Sequence, residues 1–432
     1  STGTDSTAAM QACIDAVEGF GNVIVDGAYM HTVPLTTKAS TIYIIDGGGE
    51  LGAESAAQSD TFNLTNSNVH IDNVRFKNND RAVVGGYTVV NIVSGSNYKV
   101  TNCGFDANAS ADIGGQVGAT DLVIEDNKHE PKSNATAFAI TLNGVERAWV
   151  NNNNIGECDA GVVVQGASKY ISINGNMIED AHEVGIDLIQ GDFISTSENK
   201  LTRCLLFGLR TSLTPAAGFP AAITTRVTSS GDQFDDCGSG GGGAISLNSN
   251  DSVLSGGHRI VAPVIRCATA GISSVISCTA PNCIVSAPEI SGAHAVGVNV
   301  QDLAINFKLL GGTIAGSTDT GVKLLLLSGS PVNADGRVEV SGVTIDSPGT
   351  SADGIGMTIA NVGNAKISNN TVIFGANTKW GFRFSGGHVG LVMADNSVIG
   401  TSTIADAYST GTASFLDDVS WSGNKVGAVE VD

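Results

Sequence analysis

The chain has 432 residues, of which only 15 % are charged and 55 are glycine, and its formal net charge is −20. With 22 Lys and Arg against 42 Asp and Glu, the balance argues against a nucleic-acid partner, and it weakens without excluding a strongly anionic substrate. No run of 18 apolar residues is present, so no membrane span is expected, and the basic-then-apolar pattern of a signal peptide is not seen in a chain that opens mid-motif, as processing would also leave it.

Residues 3–17 read as a capped amphipathic helix. Asp5 or Ser6 is placed to accept from the first free amides, and Met10, Cys13, Ile14 and Val17 form one apolar stripe. Such a helix covers a first coil whose unpaired edge would otherwise invite aggregation. Gly21-Asn-Val-Ile-Val-Asp-Gly-Ala-Tyr29 follows as a strand, a turn and an aromatic, so residues 1–38 form an N-terminal cap with the first strands. Thr4-Asp5-Ser6-Thr7-Ala8-Ala9-Met10-Gln11 through Ile14-Asp15-Ala16, then Val23-Ile24-Val25-Asp26-Gly27-Ala28-Tyr29, resembles the opening of the pectate-lyase-like β-helix domains. That superfamily includes bacteriophage tailspikes and other polysaccharide-cleaving enzymes. The resemblance implies a right-handed, usually trimeric β-helix acting on extracellular bacterial polysaccharide, either virion-associated on a phage tail or secreted. It does not imply a reaction type, because hydrolases, lyases and epimerases share the architecture.

From residue 39 to 432 a glycine followed by an alternating apolar run keeps returning: Gly161-Val-Val-Val, Gly185-Ile-Asp-Leu, Gly208-Leu-Arg-Thr, Gly271-Ile-Ser-Ser, Gly297-Val-Asn-Val, Gly321-Val-Lys-Leu and Gly381-Phe-Arg-Phe. The intervals 185−161 = 24, 208−185 = 23 and 321−297 = 24 define one period, and Asn127, Asn176 and Asn199 keep the same beat. A period of this length marks a solenoid, and alternation of two within it, as in Val162 and Val164, marks strands. Gly, Asn, Asp and Ser between the strands tolerate left-handed backbone and let the chain turn sharply. The expectation is an all-β, single-stranded parallel β-helix of roughly 14–15 coils. The repeat still runs at Val429–Asp432 with no visible cap, so the last coil is expected to be protected by subunit association in a homotrimer or by a further segment.

Of the 8 cysteines, Cys158, Cys204 and Cys267 fall three or four residues before a coil glycine and read as a ladder of small buried thiols. Cys278 and Cys283 are close enough in a Pro-containing loop to bridge locally. No Cys or His spacing suits zinc, and no cofactor is expected.

Aligning the coils on their glycines gives an outward row of Thr141, Val163, Asp187, Arg210, Asn299, Lys323 and Arg383. Two residues ahead of their glycines, Asp159 and Glu183 fall on adjacent coils, with α-carbons about 5 Å apart. Paired carboxylates are what glycosidases use, one protonating the leaving oxygen and the other acting as base or nucleophile. Around them Glu157, Glu179, Asp180, His182, Asp187, Asp192 and Arg210 make the densest titratable patch of the chain. Asp159, Glu183, Asp187, Arg210 and His182 are the candidate catalytic groups, and Glu157, Asp180, Gln165, Thr141 and Asp192 the candidate substrate contacts. An insertion from Leu213 to Phe219 is placed to wall the groove.

Each of these residues also has a plainer role open to it, since acidic residues at β-helix turns are usually solvated and Asp187 with Arg210 would make an ordinary cross-strand ion pair. Asp232, Asp235 and Asp236, and Glu339, Asp346 and Asp353, read as turn residues before they read as sites. His258 and His388 fall at Gly-Gly turns with room around them. Trp149, Trp380 and Trp421 are candidate sugar-stacking surfaces, although Trp149 sits in a strand pattern that suits core packing. A lyase would need a Lys or Arg base and calcium held between carboxylates; Asp187 with Arg210, or Lys323 and Arg383, offer the base, but the ladder of acidic ligands is thin. A non-catalytic glycan-binding spike is the remaining alternative.

Overall fold

The structure is a computed structural model that describes residues 6–38, 41–53, 60–78, 87–106, 110–131, 137–211, 224–248, 256–269, 271–301, 304–325, 337–349, 354–400, 404–410, 414–415, 419–427 and 429–431. The insertion at 213–219, Asp5 and Asp353 lie outside these residues. The chain divides into two compact units, one of Ser1–Cys204 with Thr214–Ile223, the other of Leu205–Leu213 with Thr224–Asp432. Each is a parallel β-solenoid in which every coil contributes one strand to each of three faces.

One coil of the first unit shows the plan. Glu146–Asn151 lies on the first face, Asn154–Ile155 on the second and Cys158–Gln165 on the third. The next coil repeats it with Ser168–Asn174, Met177–Glu179 and Ala181–Leu188, each paired in parallel register with the strand a coil earlier. Inward positions stack like on like: Ile140, Val162 and Ile186 form one buried column, and Leu142, Val164 and Leu188 another. Each such side chain contributes roughly 1.5–3 kcal/mol of apolar burial. No coil achieves that alone, since its inward residues are covered by its neighbours.

The coil glycines have a different cause from the one the sequence suggests. None of Gly161, Gly297, Gly321 and Gly381 has a positive φ. A Cβ on Gly161 would lie 2.7 Å from the carbonyl oxygen of Gly185 and 2.8 Å from Ile178, and one on Gly321 would lie 2.8 Å from the Gly356 oxygen and 2.4 Å from Ile345. Gly161, Gly297 and Gly321 are therefore required by the next coil glycine's carbonyl and Gly381 by that of Ala407, each together with a β-branched core residue of the second face. The left-handed positions are elsewhere, at the corner from the first face to the second, where Asn102, Asp126, Asn152, Gly175 and Glu198 all have φ between 53° and 62°.

The residue after the last four of those corners is a buried asparagine, and Cys103 follows the first. Asn127, Asn153, Asn176 and Asn199 form a ladder in the first unit, and Asn370, Asn396 and Asn424 form one in the second. Each Nδ2 except the last of each ladder donates both to the next asparagine's Oδ1 and to a backbone carbonyl, as from Asn176 to Asn199 (2.9 Å) and to Val150 (2.8 Å), while Asn199 and Asn424 donate to a carbonyl. Buried corners thus keep their polar groups satisfied.

The helix spans Thr7–Ala16 and buries Met10 and Ile14. Cys13, assigned above to the same stripe, is exposed, and Ser6 at the N-cap makes no side-chain capping bond. The helix meets the open edge through polar groups instead: Gln11 Oε1 accepts from the Thr36 amide at 3.0 Å, its Nε2 donates to the Thr36 carbonyl at 2.9 Å, and Thr7 accepts from the Thr32 amide at 2.8 Å. Backbone groups that would template another chain are occupied. At the far end of the second unit, Val429–Val431 turns back antiparallel on Asn424–Val426, where the sequence pattern shows no capping element.

Cys158, Cys204 and Cys267 are buried thiols, as expected of core positions. Cys278 and Cys283 are not bridged: both are free and fully buried, and burial and a shared hydrogen bond hold the Cys278 thiol well above its ordinary pKa. His258 and His388 are wholly buried rather than set in roomy turns. Arg259 pairs in register with Ile284, which seats His258 beside Cys283 in the core, and burial pushes its pKa down to about 4. A histidine kept neutral in the native state stabilises it above the unfolded pKa of about 6.5 and withdraws that contribution as pH falls toward 4, a loss of about 3 kcal/mol. Urea midpoints measured at pH 7, 5.5 and 4.5 should therefore fall more steeply for the wild type than for His258→Leu. Parallel trends would contradict the burial argument.

Candidate functional site

The register of Cys158–Gln165 against Ala181–Leu188 builds the candidate site in the first unit. Ala160 pairs with Val184 and Val163 with Asp187, with a bulge between Cys158 and Ala160. Bulges re-aim side chains, and this one sits where Asp159 meets the His182-Glu183 pair on the next coil. Asp159 is half-buried and Glu183 exposed. The two carboxylates therefore occupy neighbouring coils at the start of the third face, about one strand spacing of 4.8 Å apart at the backbone.

Beside them Glu157 and His182 form a hydrogen-bonded couple, Oε1 to Nε2 at 2.8 Å, both partly exposed. At the end of the second face Arg203 grips Asp180 with two bonds of 2.6 and 2.8 Å and lies 4.0 Å from Glu179. The guanidinium holds the Asp180 carboxyl below the usual carboxylate range. Sequence reasoning missed Arg203. Its signal was its place 23 residues after Asp180, one coil on and opposite in charge.

Further along the third face the outward row is as expected, Thr141 beside Val163 beside Asp187. It is recessed, however: Val163 is 3 % and Asp187 4 % exposed, so these side chains form a floor. Gln165 stands at the end of the same strand, paired with Asn143. Asp192 is not with them, for the chain turns a corner at 189–190 and Asp192 begins a first-face strand beside Lys169. Arg210 belongs to the second unit, where it pairs in register with Ser246 and lies 5.4 Å from the centroid of Phe207.

The rival clusters resolve as structure. Asp232 is buried and accepts from Ser229 at 2.6 Å, Asp235 faces Arg266, and Asp236 accepts the amides of Ala268 and Thr269. Glu339 bridges Lys308 and Lys366. Trp149 is 40 % exposed, so it points outward and not into the core. One coil spacing further, Tyr170 and Phe193 stack on each other at 5.1 Å on the same face. Trp421 is held edge-on by Phe384 and Tyr408. Among the described residues no group of three or more His, Cys, Asp or Glu is gathered to hold a metal ion.

No protein-family model matches the chain, and no curated protein matches it in sequence. Solved structures do match in fold. The N-terminal fragment of gene product 12 of bacteriophage Phi29 aligns with a TM-score of 0.62 at 13% identity, over 95% of this chain and 70% of that one. A mutant tailspike protein of E. coli bacteriophage HK620, in complex with pentasaccharide, gives 0.58 at 10% identity, over 99% and 77%. DFA-IIIase from Arthrobacter chlorophenolicus A6, in complex with GF2, gives 0.52 at 13% identity, over 70% and 88%. At these identities the likeness is one of fold.

Proposed function

We propose that the protein is a polysaccharide depolymerase, an endo-glycosidase that hydrolyses a bacterial surface polysaccharide such as a capsule, exopolysaccharide or O-antigen. The observation that carries this is the register that sets Asp159 beside Glu183 on neighbouring coils, above a floor ending in Asp187. Glu183, the longer and more exposed side chain, protonates the leaving glycosidic oxygen. Asp159, shorter and half-buried, attacks the anomeric carbon, and water then releases the glycosyl group with Glu183 as base. One coil of backbone spacing lets the two carboxyl groups approach the roughly 5–5.5 Å separation of retaining glycosidases. His182, steadied by Glu157, flanks the pair, while Asp187, Thr141 and Gln165 offer acceptors and donors to sugar hydroxyls. The tailspike structure, solved with a bound pentasaccharide, supports a glycan as the ligand of this solenoid.

The same reading places the protein outside the cell or on a virion, as a homotrimer of the tailspike kind. Sedimentation equilibrium returning only the mass of one chain would rule the trimer out.

The test is a product assay on purified capsular and O-antigen polysaccharides, following reducing ends and ultraviolet absorbance together. New reducing ends without absorbance are the expected result. An unsaturated product would replace hydrolysis by β-elimination, and binding without cleavage would leave a glycan-holding spike.

A further inference from the structure

The third face of the second unit inverts the charge balance of the chain. Its four consecutive strands His294–Gln301, Ser317–Leu325, Gly354–Ala360 and Thr378–Ser385 carry Lys323, Lys379 and Arg383 but one carboxylate, Asp319, within a chain of net charge −20. Register sets Asn299, Lys323, Thr358 and Arg383 in one outward column on successive coils. Lys323 and Arg383 are thus two coils apart, on the order of 10 Å. Neither makes an ion pair among the described residues, whereas elsewhere on the chain Arg147, Arg203, Lys308 and Arg266 all do.

What steadies the cations is an aromatic ring. The Arg383 guanidinium lies 4.7 Å and the Lys379 ammonium 4.3 Å from the centroid of Trp380. Stacking on an indole fixes a guanidinium without consuming its in-plane N–H groups, which stay free to take a carboxylate with two bonds. At the head of the column Asn299 is 8 % exposed, and its Oδ1 is a buried acceptor with no hydrogen-bond partner among the described residues, although its Nδ2 donates to Ser274 at 3.2 Å. A buried acceptor left unpaired is destabilising, and a hydroxyl-rich ligand would relieve it.

We infer that this column is a subsite for an acidic sugar unit of the polysaccharide, its carboxylate bound between Lys323 and Arg383 and a hydroxyl donated to Asn299. The inference rests on the glycan-binding part of the proposed function and adds the substrate class, a carboxylate-bearing polymer. It also answers the net charge, since an acidic chain that repels polyanions at long range needs a local, uncompensated cationic column to hold one.

Affinity electrophoresis tests it on the full chain, in native gels cast with polygalacturonate, with hyaluronan, with the carboxyl-reduced form of each, and with dextran sulfate. A uronate gel should retard the protein, reduction of the carboxyls should abolish the retardation, and the Lys323→Gln/Arg383→Gln double variant should bind at least about tenfold more weakly, with an unchanged melting curve. Equal mobility in uronate and reduced gels overturns the proposal, as does a double variant held like the wild type, or retardation by dextran sulfate alone. Uronate retardation that the double variant loses, in a protein that yields no reducing ends from any polysaccharide, would uphold the subsite while removing the hydrolase.

Discussion

Glu183→Gln is expected to lower kcat for polysaccharide cleavage roughly 10³-fold, the usual worth of a positioned general acid, and Asp159→Asn at least as much. Both substitutions keep the side chain's size and remove only its charge. Glu183 is exposed and Asp159 half-buried, so the fold should tolerate the change within about 0.5 kcal/mol. The two variants should differ in a way that a merely structural role would not produce. Asp159→Ala supplied with azide should regain turnover and release a glycosyl azide of inverted configuration, because a small anion then attacks the face the carboxylate held. Under azide Glu183→Ala should instead give a product of retained configuration. Activity within tenfold of wild type in both carboxamide variants would remove the pair from the mechanism and direct attention to Asp187, recessed on the floor of the same face.

Much of this site was legible because a solenoid makes sequence spacing equivalent to spatial adjacency. Residues one period apart are neighbours, so Asp159 with Glu183, and Thr141 with Val163 and Asp187, follow from counting. The same rule was available for Asp180 and Arg203, but the coils were aligned on third-face glycines, and a second-face pair falls outside that frame. What counting does not give is where the chain turns a corner. Asp192 is only five residues from Asp187, yet the turn at 189–190 carries it to another face. Inward and outward sides have the same difficulty: alternation is legible within a strand, but its phase is reset at each corner, which is why Trp149 emerges outside and His258 inside. The coil glycines were found for an incomplete reason. Their period was visible, but the contact that demands them, a neighbouring coil's carbonyl, exists only after the coils stack.

The asparagine ladder is where a single side chain should cost the fold most. Asn176 Oδ1 accepts from the Asn153 amide and from Asn153 Nδ2, both at 2.9 Å, while its Nδ2 donates to Val150 O at 2.8 Å, to Asn174 O at 3.1 Å and to Asn199 Oδ1 at 2.9 Å. Asn176→Ala leaves two donors and an acceptor of the preceding coil, and an acceptor on each of its own and the following coil, without this partner in a corner where Asn176 is 1 % exposed and water has no route to replace it. Each buried group left short costs about 1–3 kcal/mol, and the chain of amides polarises as a unit, so a loss of about 4 kcal/mol is expected. Asn154→Ala, which removes an exposed side chain on a second-face strand with ordinary backbone, should lose less than about 0.5 kcal/mol. Unfolding rates in guanidinium are the safer measure if refolding proves slow, as it does for many long parallel solenoids, and Asn176→Ala should then unfold faster by several hundredfold or more if the ladder is intact only in the native state. A difference between the two variants below about 1 kcal/mol would mean that the coils are held by their apolar columns alone, with the ladder serving only to satisfy groups that water could reach.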